Sequence, residues 1–135
     1  MRTLLIFVVC VTAPLLATPA LACNNATQIN GATTVDEYGK SGSKAYNVDG
    51  HSNLGGRVGI TGTLCLEVNG ESSVGLEGYG QDVTLDRLDG RSTVDLRRFK
   101  AMGSVKAGQI NGASTFNILL DKNASLEIAK VDGAS

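Results

Sequence analysis

The chain has 135 residues, 42% of them hydrophobic but only 4% aromatic and none tryptophan, and carries a formal net charge of −1. That balance excludes a nucleic-acid-binding protein, which needs a basic patch, and an electrostatic anchor on anionic lipid. With 17 glycines and so few large side chains, a thick globular core is excluded as well, and a thin, extended one is expected.

The first element in chain order is a leader. Met1-Arg2 is a short positive start, residues 4–11 are apolar, and Ala20-Leu21-Ala22 is the small-x-small pattern of a cleavage site. The apolar run is too short, and Pro14 and Pro19 too near it, for a membrane-spanning helix. Residues 1–22 therefore read as a signal peptide, leaving 135 − 22 = 113 residues from Cys23 as one domain, 23–135. Removing Arg2 takes the charge of that mature chain to 11 − 13 = −2.

The rest of the chain is a repeat. Glycines at 31, 50, 70, 90, 112 and 133 are spaced 19, 20, 20, 22 and 21 residues apart, a period that signals stacked units. Before them stand Asn30, Asp49, Asn69, Asp89, Asn111 and Asp132, and one position earlier Ile29, Val48, Val68, Leu88, Ile110 and Val131. Two residues after them come Thr33, Ser52, Ser72, Ser92, Ser114 and Ser135, and four after them Val35, Leu54, Val74, Val94 and Phe116. The Asn/Asp-Gly pair is turn chemistry, because Gly accepts positive φ and Asn or Asp tolerates it. Around each turn the apolar positions alternate, the period of a strand: Ile110, Gly112, Ser114, Phe116 and Ile118 face one way, and Asn111, Ala113, Thr115 and Asn117 the other.

An antiparallel meander also uses Asn-Gly turns, but it would not need the same residue type in every column. Stacking does, since equivalent residues then lie directly above one another, about 4.8 Å apart. The expectation is an all-β, single-domain parallel β-solenoid of five to six coils, each of 19–22 residues. Residues five and seven before each glycine are read as inward too: Ala26, Ala45, Cys65, Leu85, Ala107 and Ile128, then Asn24, Ser43, Thr63, Val83, Val105 and Leu126. Because these columns grow more apolar along the chain, the early coils are expected to pack less well.

Every chemically suggestive residue has a structural reading beside its functional one. The Asn/Asp column could hold calcium or sugar, yet the calcium-solenoid nonapeptide is missing and Asn alternates with Asp, so a turn ladder is expected. The buried hydroxyl column needs hydrogen-bond partners and is expected to find them in neighbouring coils. His51 is the sole histidine; a triad would require it to meet Asp49 or Asp89 beside an outward serine such as Ser73, and nothing in the spacing demands that. Cys-x-x-Cys, Gly-x-Ser-x-Gly and phosphate-loop motifs are all missing, so neither a catalytic residue, a metal nor a cofactor is expected. The outward column Thr34, Asn53, Ser73, Thr93 and Thr115 is too broken for an ice-binding face, and Ala32, His51, Glu71, Arg91 and Ala113 look irregular.

Two cysteines remain after the leader. Cys65 falls in an inward column of the third coil and Cys23 at the start of the first, too far apart for a bridge unless the N-terminus folds back. A buried free thiol at Cys65 is expected. Cys23, as the first mature residue, is also a candidate for lipidation, although Leu21 is not where a lipobox puts its leucine.

The segments GRSTVDLRRFKAMGSVKAGQINGASTFNI and KNASLEIAKVDGAS resemble the auto-transporter adhesin head (GIN) domains. The resemblance covers most of residues 24–135 and implies an exported, right-handed parallel β-helix with a surface or adhesive role. This chain departs from the family in having less Gly-Ser repetition. After Gly133 no polar cap follows, so either a longer polypeptide or ends that stack on other copies is expected. The function expected is thus a non-catalytic exported surface, adhesion or structural protein, with self-association through the solenoid ends as one version. The alternative is a carbohydrate-binding module or a relic of a polysaccharide-active β-helix. Against that alternative, Tyr38, Tyr46, Tyr79 and Phe99 fall at differing offsets from the glycines and form no aromatic platform.

Overall fold

The computed structural model describes Cys23 and residues 25–134; the leader expected at 1–22 and the column members Asn24 and Ser135 lie outside them. Among the described residues nine strands follow one another: β1 (Thr27–Ile29), β2 (Thr34–Ser41), β3 (Lys44–Val48), β4 (Asn53–Val68), β5 (Ser73–Leu88), β6 (Thr93–Ala101), β7 (Ser104–Ile110), β8 (Thr115–Leu120) and β9 (Ser125–Val131). All pairing is parallel. One face runs β9-β7-β5-β4-β3-β1; on the other, β2 pairs with β4, β4 with β5, β5 with β6 and β6 with β8. The chain is a parallel β-solenoid of five stacked coils with an Asn/Asp-Gly turn between successive coils.

The core is a narrow column along the stack. Leu54, Val74 and Val94 lie over one another on one wall, and Val48, Val68 and Leu88 on the other, all at most 1% exposed. Two large rings fill what the small residues leave. Phe99 tucks beneath Gly80, where a Cβ would stand 2.6 Å from its Cζ. Tyr46 crosses the interior of the second coil, and its hydroxyl donates to Glu37 Oε1 at 2.8 Å. Burial, followed by the Glu37 bond and charge, pushes the Tyr46 phenol far above its ordinary pKa.

The inward columns differ from expectation in the first three coils. Positions two, four and six before the turn glycine face the core in the third coil, as Val68, Leu66 and Leu64 do before Gly70, with Cys65 pointing out between them; in the second coil Val48 and Tyr46 are buried at two and four, and in the first only Ile29 at two. From the fourth coil the positions are two, five and seven, as with Leu88, Leu85 and Val83. The register shift between Leu66 and Glu67 places an additional residue, Asp86, in β5, and an additional residue turns every earlier side chain to the other face. Ala26, Ala45, Cys65, Ser43 and Thr63 are therefore not core residues. Tyr46, Leu64 and Leu66 take those places, so the polarity of the −5 and −7 columns reflects an outward position and not loose packing.

That change corrects the cysteines. Cys23 and Cys65 form a disulfide, with Cα atoms 5.6 Å apart. The free-thiol expectation fails on both of its premises. Cys65 is outward, and Asn25, at φ 55, bends the chain ahead of β1 so that Cys23 returns over the outer face. By the pairing of Thr27 with Tyr46 and of Ala45 with Cys65, the column beneath Cys65 holds Ala45 and then Ala26, which are small enough to let the segment cross. The Cys23 sulfur is thereby engaged, and cannot carry a lipid thioether while that bond stands.

Candidate functional site

At each turn the glycine does two things that another residue could not. Gly70 has φ +75, and a Cβ on it would lie 2.6 Å from the carbonyl oxygen of Gly50 in the coil below; Gly90 has φ +75 and would meet Gly70 O at 2.3 Å. The same close approach runs through Gly50, Gly112 and Gly133, whereas Gly31 in the first coil has open space. The backbone ladder continues straight through the corner, with Glu71 N donating to Gly50 O and Arg91 N to Gly70 O, both at 2.8 Å. Asp49 and Asp89 turn their carboxylates onto the next amide, accepting from Gly50 N at 2.8 Å and from Gly90 N at 2.7 Å. Asn30, Asn69, Asn111 and Asp132 occupy the same corner position in their coils.

Behind the corner lies a ladder of hydroxyls. Ser52, Ser72, Ser92 and Ser114 are at most 3% exposed. Ser72 Oγ donates to Gly50 O at 3.3 Å and Ser92 Oγ to Gly70 O at 3.2 Å. In return Ser72 Oγ accepts from Ser52 N, and Ser92 Oγ from Ser72 N, each at 3.4 Å. Ser72 and Ser92 thus each bond the coil below twice, and Ser52 Oγ reaches Gly31 O at 3.5 Å. The first rung differs, since exposed Thr33 bonds Asn30 O of its own turn at 2.7 Å. At the other end Ser114 Oγ is buried with no partner.

The residues a triad would need are not brought together. His51 Nδ1 faces Glu71 Oε1 at 3.4 Å, and Ser73 Oγ donates to Asn53 Oδ1. In the outward column of His51, Glu71 also meets a cation, Arg91 approaching its other carboxylate oxygen at 3.8 Å. Among the described residues no group of three His, Cys, Asp or Glu is gathered as a metal site would be. Nor is any helix among them long and apolar enough to cross a membrane.

A site that the turn columns did not reveal lies on the face built by β2, β4, β5 and β6. Five residues after the turn glycines comes the outward column Asp36, Gly55, Gly75, Asp95 and Asn117, in register from coil to coil. Gly55 and Gly75 lack side chains there, and a trench opens over Gly56 and Gly75. Its wall is the next outward column, in which Tyr38, Arg57, Glu77 and Arg98 are stacked. Two hollows of about 540 and 390 Å³ share Gly75 and Glu77 and make the trench continuous from Tyr38 to Arg98. Glu77 joins the wall, receiving Arg57 Nη2 at 3.0 Å and Arg98 Nη1 at 3.4 Å. Those hydrogen bonds, Arg57's first, lower the Glu77 pKa. At the far end Asp95 takes Arg97 as a two-pronged pair at 2.9 and 2.7 Å, and also the Arg97 amide at 3.1 Å, which together hold its pKa down to about 2.

Beyond Arg98 the wall stops. Lys100 pairs with Leu119 only one rung step after Leu96 pairs with Ile118, so β8 has no counterpart of Arg97, Arg98 and Phe99. The coil that carries β8 is narrower at this corner, and the two arginines stand on a ledge. The opposite face has its own polar hollow of about 390 Å³, lined in part by Glu67, Asp86 and Lys130. There burial, then the Asp86 carboxylate, raises the Glu67 pKa.

This arrangement defines the chain as a parallel β-solenoid with charged side-chain ladders on its outer faces and one open trench across its strands. Comparison with family models, with curated proteins and with solved structures found no match.

Proposed function

We propose that the chain is an exported, non-catalytic surface protein whose rigid stack serves adhesion or cell-surface structure. The observation that carries this reading is the Cys23–Cys65 disulfide. Structural disulfides persist in oxidising compartments outside the cytosol, and the bond begins at the residue where the leader pattern of 1–22 ends. The resemblance to GIN domains points the same way. The non-catalytic part rests on how the reactive groups are used. The Asp49 and Asp89 carboxylates cap their own turns, the Ser52, Ser72 and Ser92 hydroxyls bond the coil below, and His51 faces Glu71. Self-stacking is one form of the structural role, since the outermost strand β9 leaves Leu126, Ile128 and Val131 exposed at 44, 41 and 54%.

The test is to express the whole chain with its leader in a secreting host and examine the exported product. A product starting at Cys23, free of reactive thiol and retained on cell-surface or matrix material when coated on beads, is the expected outcome. An unprocessed cytosolic product, or turnover of any polysaccharide in a hydrolysis panel, overturns the reading. Light scattering on the same sample reads the stacking form directly, as a mass that grows with concentration.

A further inference from the structure

From the trench over Gly56 and Gly75 we infer a binding site for a neutral, extended oligosaccharide, lying along the solenoid axis across the strands. Four observations lead there.

The first is shape. Four rungs at about 4.8 Å each make a trench roughly 14 Å long. Its floor is open at Gly75, where a Cβ would meet nothing within 4 Å. Beside the floor, at Gly55, the Asp36 carboxylate already leans over, 3.0 Å from where a Cβ would stand. A groove of this form accepts a chain, not a compact molecule.

The second is charge. Arg57, Arg97 and Arg98 are balanced by Asp36, Glu77 and Asp95, so the trench sums to zero. The guanidiniums already face carboxylates at 2.7 to 3.4 Å. An anionic polymer would have to break those pairs, and a cationic one would compete with the arginines for them. What the pairs still offer is a dense set of fixed N–H donors and carboxylate lone pairs. Hydroxyls, which donate and accept at once, match such a surface.

The third is the aromatic end. Tyr38, 77% exposed, opens the wall at the N-terminal end. A ring with one free face is a stacking surface for the C–H face of a sugar. Tyr79 is not equivalent, because its ring lies over Gly59, with the hydroxyl oxygen 2.6 Å from where a Cβ would be.

The fourth excludes a peptide added as a strand. Strand addition needs an open sheet edge, whereas the trench crosses the faces of β4 and β5, whose backbones are paired to neighbouring coils on both sides.

The inference rests on the proposed function only in that the glycan is held and not cut. The probe is an array of neutral linear gluco-, xylo- and manno-oligosaccharides, with sulfated and uronate chains alongside, followed by titration of any ligand retained. Gly75→Val is the decisive variant. Gly75 has ordinary φ and open space above it, and valine favours strands, so the fold tolerates a side chain that blocks the floor. The expected result is retention of a neutral chain, little weakened by salt, and a loss of roughly tenfold or more in affinity with Gly75→Val at unchanged melting temperature. Tyr38→Ala, at an exposed site, should weaken binding as well. Retention of the charged chains alone, no retention, or equal binding by Gly75→Val would each overturn the inference. Cleavage of a retained glycan would sink the non-catalytic reading and leave the trench standing; an empty array would do the reverse.

Discussion

Replacing Cys23 and Cys65 together by serine tests how this stack is held at its N-terminal end. The bond links residues 42 apart and closes a loop that contains the first two coils. Loop-closure entropy for that length gives about 4 kcal/mol of stabilisation, through restriction of the unfolded chain. In a domain of this size the loss corresponds to roughly 15 °C in melting temperature. The structure adds a local expectation. β1 has only three paired residues, Thr27 to Ile29 on Tyr46 to Val48, so without the bond it should fray before the rest. Urea unfolding of the oxidised protein and the double serine variant measures the first effect, and amide exchange separates the second. Protection should fall at Thr27–Ile29 and persist across Leu85 and Leu88, which are fully buried. A stability loss below about 1 kcal/mol, or uniform loss of protection along the whole chain, would refute this account of the bond.

The other predictions concern the ladders and one carboxyl. Gly31→Ala should cost about 1–2 kcal/mol, the strain of an L-residue at positive φ, whereas Gly70→Ala adds a contact 2.6 Å from a backbone oxygen and should cost more than twice that in urea unfolding. Ser72→Ala removes the bond to Gly50 O and leaves the Ser52 amide without its hydroxyl acceptor, for a loss of about 1–3 kcal/mol. Ser114→Ala deletes a hydroxyl that has no partner, so its unfolding midpoint should be unchanged or higher. Glu67 has its pKa raised above 4.5, so between that value and the raised one the folded state binds more protons than the unfolded state. Its contribution to stability therefore falls as pH rises through that window. Glu67→Gln should raise the melting temperature at pH 7 and flatten the dependence above pH 4.5; a lower melting temperature at pH 7 would contradict the sign.

The repeat made the coil count, the parallel stacking and the turn columns legible in the sequence, because stacking forces equivalent residues into matching size and chemistry. What it hid were departures from a fixed offset. Counting back from Gly90 makes Leu85 inward, and the same count from Gly70 wrongly makes Cys65 inward. The period does not betray the bulge, since the fourth coil has one residue fewer between Gly80 and Val83 than the third has between Ile60 and Leu64, and regains it at Asp86. The disulfide was hidden behind the same miscount, together with a reversal at Asn25 that no periodicity encodes. The trench was in principle visible, as the column Asp36, Gly55, Gly75 and Asp95 five places after the first four turn glycines. Glycine at 55 and 75 shares that column with Asp36 and Asp95, so the column carries no fixed residue type to mark it.

The paired shortening at the coil edge and bulge at Asp86 also bear on how such a protein can be rebuilt. Repeat proteins invite recombination, in which a unit is duplicated, deleted or moved. Here the units come in two dialects. A half-coil ending at Gly70, moved into the place of the one ending at Gly112, would turn Leu64 and Leu66 to solvent and Cys65 and Thr63 to the core if aligned residue for residue. Viable exchanges must carry the bulge with them or keep to one side of it. The boundary between Val68 and Leu88 is therefore the seam at which duplications and grafts of this solenoid should be cut.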